Sequence, residues 1–470
     1  MNMMKFTKWV LPCVFVLLIT YGNIYSQNND GGITPEILKQ IQMSYKNTSA
    51  DRALGNAIRQ VPIKTLAINT EGHRKLDNYF SDEVKSKGIT NQKSSGRCWL
   101  FSGLNIFRAE FIKKNGTGDF QFSQNYLFFY DQLEKANLFL QAIINTSDKS
   151  MDEKIVEWLF KHPLSDGGQF TGVYDLLCKY GAVPEEIMPE TNSSNNTRTM
   201  SQLITLKLKE FALELRRMRA DGKKIKDIES RKVEQLGVVY RMLVLNLGQP
   251  PKTFKYTLRN DKGIEISTNT YTPKSFFDTF IGGDLRDKYV LLMNDPSRPY
   301  YKLYEIKYDR HLYDGDNWKY VNLPVSDIKE MAIKSIKDQT MMYFSCDVGK
   351  DFSREDGTLD LGNYDYGDLF GVNFGMDKKQ RIETFASGSS HAMALMAVNL
   401  VDGVPDKWKV ENSWGDGPNN GHLIISDEWF DNYMFRLVVD KKYATSKVLN
   451  ILKTKATMLP PWDPMFADED

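Results

Sequence analysis

The sequence predicts an α+β protein in which a helical half and an antiparallel β half are separated by a long mixed segment. Three observations carry this. From Cys98 onward, Leu100, Phe101, Leu104, Phe107 and Phe111 recur at the spacing of one helical face. Near the other end, the apolar run Ala392 to Leu400 and the segment Lys407 to Glu411 flank Asp402-Gly403, the pattern of two antiparallel strands around a tight turn. Between them, a strongly helical stretch (Leu203 to Leu247) is followed by strand-like Phe254 to Arg259 and Ile264 to Thr268, joined through Asp261-Lys262-Gly263.

In chain order, residues 1–26 stand apart. Lys5 and Lys8 precede an apolar run from Trp9 to Thr20, and small or polar residues follow at Tyr25-Ser26-Gln27. The run is short for a membrane span, and its flanks predict a cleavable signal peptide cut near Ser26 and export from the cytoplasm. Retention as an anchor through residues 9–20 is the alternative. Residues 27–60 are polar and read as an extended arm or short helix. Residues 61–189 form the helical half: a polar loop Asn91 to Arg97, then the helix from Cys98, capped by Ser94 or Ser95 and stopped at Asn115-Gly116. Ser123 caps the next helix, Gln124 to about Leu140. A third, Asp152 to Lys161, ends before Pro163 and leads to Asp166-Gly167-Gly168-Gln169.

Residues 190–340 read as the mixed insertion, closing with a helix near Val325 to Ile336. Its ten Lys/Arg and six Asp/Glu between Lys207 and Glu234 alternate at helical spacing, which favours a solvated helical hairpin over a nucleic-acid patch. Residues 341–456 form the β half, beginning with a strand from Met341 to Cys346. Residues 457–470 hold Pro460, Pro461 and Pro464 without periodicity, so they form an extended arm and cannot be a core helix. Trp462 and Met465 in that arm are costly to leave in water.

At 470 residues, 41% hydrophobic and 26% charged, the chain can bury a large core. A net charge of +1 offers no general attraction to nucleic acid or acidic ligands. Without the signal, three cysteines are left (Cys98, Cys178, Cys346), too few for a disulfide scaffold. No cysteine or histidine pair has zinc-ligand spacing, and Walker, dinucleotide and calcium-loop motifs are missing, so no metal or cofactor is expected.

Cys98 falls in the first turn of its helix, where unpaired N–H groups and the positive end of the helix dipole favour a thiolate. Thiolate chemistry needs a base, an orienter for the base and donors for an oxyanion. Gln92, six residues earlier, can aim its amide at the spot faced by the Cys98 N–H. His391 opens one of the two paired strands and Asn412 follows the other, so pairing would set Asn412 beside His391, with Trp414 covering the hydrogen bond. Cys346 lies in an apolar strand and reads as a core residue.

Cys98-Trp99 after Gln92, a later His391-Ala392 and Asn412-Ser413-Trp414-Gly415 resemble the papain-like cysteine peptidases. Asn91 to Phe101, Phe122 to Phe129, Asp166 to Gln169, Cys346 to Lys350 and Trp408 to Asp427 are more closely similar to the bleomycin hydrolase/aminopeptidase C branch. The likeness runs in order from about residue 60 to the C-terminus. The papain signature has a second cysteine and places His and Asn roughly 130–150 residues downstream. Here Ser95 replaces the first cysteine, and His391 and Asn412 follow Cys98 by 293 and 314 residues. Both departures are those of the branch.

The resemblance implies a papain-like two-subdomain peptidase. Cys98 would be the nucleophile, His391 the base, Asn412 its orienter, and Gln92 with the Cys98 N–H the oxyanion donors. Gly167, Gly168 and Trp414 would border the substrate. It further implies peptide substrates, six copies closing a barrel, and a C-terminal arm in the cleft. An arm on the non-primed side would bring the carboxylate of Asp470 to a substrate's free α-ammonium and make the enzyme an aminopeptidase. Phe466 and the acidic Asp468-Glu469-Asp470 depart from the small, neutral ending of the branch. The alternatives are an endopeptidase or acyl transferase with the same residues, and a non-catalytic binding protein.

Overall fold

The computed structural model describes residues 31–72 and 75–466. The signal-peptide reading of residues 1–26 and the position of Asp470 lie outside them. Residues up to Leu66 make one compact unit, and Ala67 onward a second.

The first unit is helical where an arm or short helix was expected. Its helices Pro35–Ser44 and Ser49–Ile58 are each started by a threonine. Thr34 accepts from the Ile37 N–H, while Thr48 and Asp51 form a reciprocal capping box. Neither helix buries a residue.

In the second unit the helix from Cys98 runs to Asn115 and is buried almost all round, from Cys98 through Ala109. It ends as expected. Gly116 takes a left-handed φ of 60° and its N–H returns to the Ile112 carbonyl. Its start differs from expectation, because neither Ser94 nor Ser95 caps it. The Ser95 hydroxyl instead donates to the Gln92 carbonyl and accepts from Arg97 Nε, so the loop satisfies itself inward. The helix after Ser123 extends to Asn145, beyond the expected Leu140. The charged stretch folds as a hairpin, Arg198–Ala220 and Ile225–Leu247, with one apolar face inward and exposed pairs such as Lys207–Glu210 and Arg231–Glu234 outward.

Among the described residues one sheet has twelve strands. Across it run Thr457–Leu459, Lys302–Ile306, Lys319–Asn322, Tyr289–Met293, Met434–Asp440, Met342–Cys346, His391–Val401, Val404–Glu411, His422–Ser426, Thr358–Leu359 and Phe352–Ser353. Asp82–Glu83 pairs with the histidine strand as well. The strands between Tyr289 and Asn322 therefore extend the sheet that carries His391, although their sequence lies in the mixed insertion. The histidine strand is central and buried on both faces over its first eight residues, hence its unbroken apolar run. It meets Val404–Glu411 at the predicted turn, with positive φ at both Asp402 and Gly403. The short Phe254–Arg259/Glu265–Tyr271 hairpin stands as a separate two-stranded sheet.

Aromatic rings join the helical layer to the sheet. Phe107 stacks on Phe170 at 6.4 Å, and Phe170 meets Tyr343 of the sheet at 5.3 Å. A buried ion pair does the same: Arg108 of the cysteine helix donates to Glu411, the residue before Asn412. Burial pushes the Glu411 carboxyl upward, and Arg108 opposes this.

Arg108→Met leaves that carboxylate buried without its partner, which should cost about 3–5 kcal/mol in urea unfolding. The double variant Arg108→Met/Glu411→Leu should recover most of the loss. A single variant as stable as the parent would mean that the pair does not hold helix to sheet.

Candidate active site

Four segments converge on the cysteine: the loop Thr90 to Arg97, the first turn of the Cys98 helix, the start of the histidine strand, and the loop after Glu411. Cys98, Gln92, His391 and Asn412 are all buried. Two bonds set the helix against the strand. The Ala392 N–H donates to Cys98 Sγ at 3.4 Å, and the Ala392 carbonyl accepts from Ser102 Oγ at 2.8 Å. Cys98 and Ser102 are one helical turn apart, so they present their side chains to the same strand.

Asn412 Oδ1 lies 2.8 Å from His391 Nε2 and also accepts the Ser413 N–H at 2.8 Å. The backbone donor identifies this atom as the amide oxygen. His391 Nε2 therefore carries the proton, and Nδ1 is the basic nitrogen. Trp414 lies over the same imidazole, with ring centroids 4.7 Å apart. Burial pushes His391 down to about 4, against a partial rise from the Asn412 bond. Burial thus favours the neutral imidazole, whose Nδ1 is left as a proton acceptor.

Gln92 is gripped from both sides. Its N–H donates to the Ser413 carbonyl, its Oε1 accepts from Ser413 Oγ at 2.6 Å, and its Nε2 donates to the Ser95 carbonyl at 2.7 Å. An amide nitrogen carries a second N–H besides the one given to Ser95. The Cys98 N–H stands at the first helical position, at the positive end of the helix dipole. Gly415 N bonds to the Thr90 carbonyl and completes the clamp between the two loops.

Gly167 and Gly168 stand on the wall next to Trp99, whose indole N–H donates to the Asp166 carbonyl at 2.9 Å. The Gly167 carbonyl accepts from Lys135 Nζ. A Cβ on Gly168 would lie 2.1 Å from His311 Cε1, so packing alone requires glycine there. Residues 461–464 and Phe466 of the arm line a cavity of about 630 Å³ with Trp158, His162, Leu164 and Ser165 opposite. Phe466 meets Trp158 edge-on at 5.5 Å, and Met465 is buried, its carbonyl accepting from Arg436. Strand pairing holds Thr457–Leu459 and Met465 is buried, whereas Trp462 stays exposed, against the expectation for it, with Lys154 Nζ 4.3 Å over its ring.

Sequence reasoning missed several participants. Ser413 stands inside the quoted Asn-Ser-Trp-Gly motif, yet its grip on Gln92 depends on a loop contact 321 residues away. Cys346 is buried as expected, but the strand register pairs it directly with His391. Arg97, next to the cysteine, is fully buried and held by Glu190 through two bonds of 3.0 and 2.7 Å. Neither pairing leaves a local trace in the sequence.

The sequence model of the Peptidase C1-like family matches residues 32–466. Aminopeptidase C of Lactobacillus delbrueckii subsp. lactis is 37% identical over 418 residues, 88% of this chain and 93% of that protein. Bleomycin hydrolase of Gallus gallus is 38% identical over 395 residues, 82% of this chain and 87% of the relative. The crystal structure of PepW from Lactobacillus rhamnosis HN001 superposes with a TM-score of 0.90 at 37% identity, covering 93% of this chain and 99% of that one.

Removing the thiol isolates the histidine. In Cys98→Ala, NMR should show His391 titrating near pH 4, below the ordinary 6.5. The unfolded chain then binds the proton first, so stability is lost as pH falls from about 6.5 to about 4 and levels below that. The difference from Cys98→Ala/His391→Gln isolates this loss. No extra loss in that window would contradict the buried, neutral imidazole.

Proposed function

The chain belongs to the Peptidase C1-like family, and from that premise we propose that it is a cysteine aminopeptidase working through Cys98, His391, Asn412 and Gln92. One observation carries the assignment of roles. His391 Nε2 is committed to Asn412, while Cys98 Sγ meets the backbone of the very next residue, Ala392. That places the thiol beside the strand end that presents Nδ1.

In this reading His391 Nδ1 takes the Cys98 proton as the sulfur attacks the scissile carbonyl. The Gln92 amide and the Cys98 N–H stabilise the oxyanion. The imidazolium then protonates the leaving amine, and water attacks the thioacyl-enzyme with the neutral imidazole again acting as base. Asn412 keeps the tautomer, and Trp414 keeps water from that bond. The Gly167–Gly168 wall would border the substrate backbone. Removal of N-terminal residues is supported by the relatives named aminopeptidase C and by an arm whose last described residues line the cavity beside Ser165.

Cys98→Ala should lower peptide hydrolysis at least about a thousandfold without unfolding the protein, and Asn412→Ala should cost less than His391→Ala. Cys178→Ala and Cys346→Ala should act through packing alone. The aminopeptidase reading is checked with paired peptides. The free-amine form should be shortened stepwise from its N-terminus, and the N-acetylated form should resist. Equal cleavage of both would leave an endopeptidase.

Export through residues 1–26 and assembly into a hexamer belong to the same reading, supported by the charge and apolar pattern of the leader and by the family resemblance. The mature protein should begin near Gln27 outside the cytoplasm, and light scattering should give the mass of six chains. A soluble cytoplasmic protein with Met1 intact would refute export, and a monomer mass would refute assembly.

A further inference from the structure

The mixed insertion sends one segment back into the catalytic half. Residues 309–316, between the strands Lys302–Ile306 and Lys319–Asn322, lie against the helices Gln124–Asn145 and Phe170–Tyr180. Asp309 accepts from Gln169 Nε2, Tyr313 from Asn145, and the Asp316 N–H reaches Asp175. His311, only 1% exposed, is the centre of this contact. Its Nδ1 lies 2.5 Å from Asp131 Oδ1. Its Nε2 lies 3.3 Å from the Gln169 N–H and 3.2 Å from Gln169 Oε1, so it has a partner in either protonation state.

The ring fills space that two side chains would otherwise need. A Cβ on Gly168 would fall 2.1 Å from its Cε1, and one on Gly172 would fall 2.4 Å from its Nδ1. On another side it packs on Trp99, centroid to centroid 4.5 Å. Asp131 extends the contact. Burial alone would raise its carboxyl, but Lys135 and His311 hold it below the usual range. Lys135, 3.1 Å from Asp131, donates in turn to the Ser165 and Gly167 carbonyls. Three consecutive wall residues are therefore met by one network: Gly167 through its carbonyl, Gly168 through the ring that fills the space of a Cβ, and Gln169 through its N–H. Glycine loses the most conformational freedom on ordering, so a Gly-Gly segment gains most from an external brace.

We propose that His311, braced by Asp131, is a positioning residue that holds the Gly167–Gly168 wall in the shape that binds substrate backbone. This rests on the reading of that wall as a substrate border. His311 lies behind the wall and touches no reacting atom. Its effect is on binding common to ground and transition states, which appears in KM.

The experiment compares the parent with His311→Ala, Gly168→Ala and the double variant, using a peptide substrate and the rate of Cys98 alkylation by iodoacetamide. In His311→Ala, KM should rise about tenfold or more while kcat and the alkylation rate stay within about threefold. Gly168→Ala should be severely impaired beside the imidazole. In the double variant its methyl enters the vacated space, and kcat/KM should recover about tenfold over Gly168→Ala alone. A fall in kcat with KM unchanged would overturn the proposal. So would a Gly168→Ala defect of equal size in both backgrounds, a comparison that holds even where His311→Ala is less stable. If Cys98 of the parent resists alkylation, the reading of the active site itself fails, and the positioning role falls with it.

Discussion

The Ala392 peptide is the joint on which this protein depends. One end of it is held by the Cys98 sulfur and the other by the Ser102 hydroxyl, both on one turn of one helix. The separation of the Cys98 thiol from the His391 imidazole is thereby a packing distance between a buried helix and a central strand. A misplacement of about 1 Å between reacting groups can cost on the order of a hundredfold in rate. This explains why the helix is buried on nearly every side and why the histidine strand has neighbours on both edges. The same helix also anchors the surrounding loops. Asn105 donates to Thr90, Thr90 accepts from Gly415, and Arg108 reaches Glu411 just ahead of Asn412.

What could be read from the sequence was whatever is written locally. Helical spacing after Cys98, the Asp402-Gly403 turn and the apolar histidine strand each depend on residues a few positions apart. The side chains around the thiol were legible because each sits at the edge of such an element. The serine cap failed for an instructive reason. Ser95 has the right chemistry for a cap, but the Gln92 carbonyl and Arg97 claim its hydroxyl first. Sheet order was illegible. Met434–Asp440, far along the chain, sits between Tyr289–Met293 and Met342–Cys346, and a strand's pattern does not name its neighbour. Cys346 shows the same limit, since it looked like plain core and the register set it beside His391. His311 is one of five histidines in a sequence with no motif around it, and only the fold brings it to Asp131 and Gly168.

The charges buried near the thiol come in balanced pairs, and that balance bears on how a thiolate forms. Arg97, adjacent to Cys98, is matched by Glu190, and Arg108, further along the helix, is matched by Glu411. Lys135, over the face of Trp99, is matched by Asp131. The helix N-terminus at Cys98 supplies positive potential to the sulfur, and an imidazolium at His391 would add to it. Burial pushes His391 toward its neutral form. A thiolate and an imidazolium formed here would each supply charge that makes the other tolerable in a buried site, and their apparent titrations would belong to the pair. The balanced pairs around the site fix its geometry, Arg97–Glu190 next to the thiol and Arg108–Glu411 just ahead of Asn412.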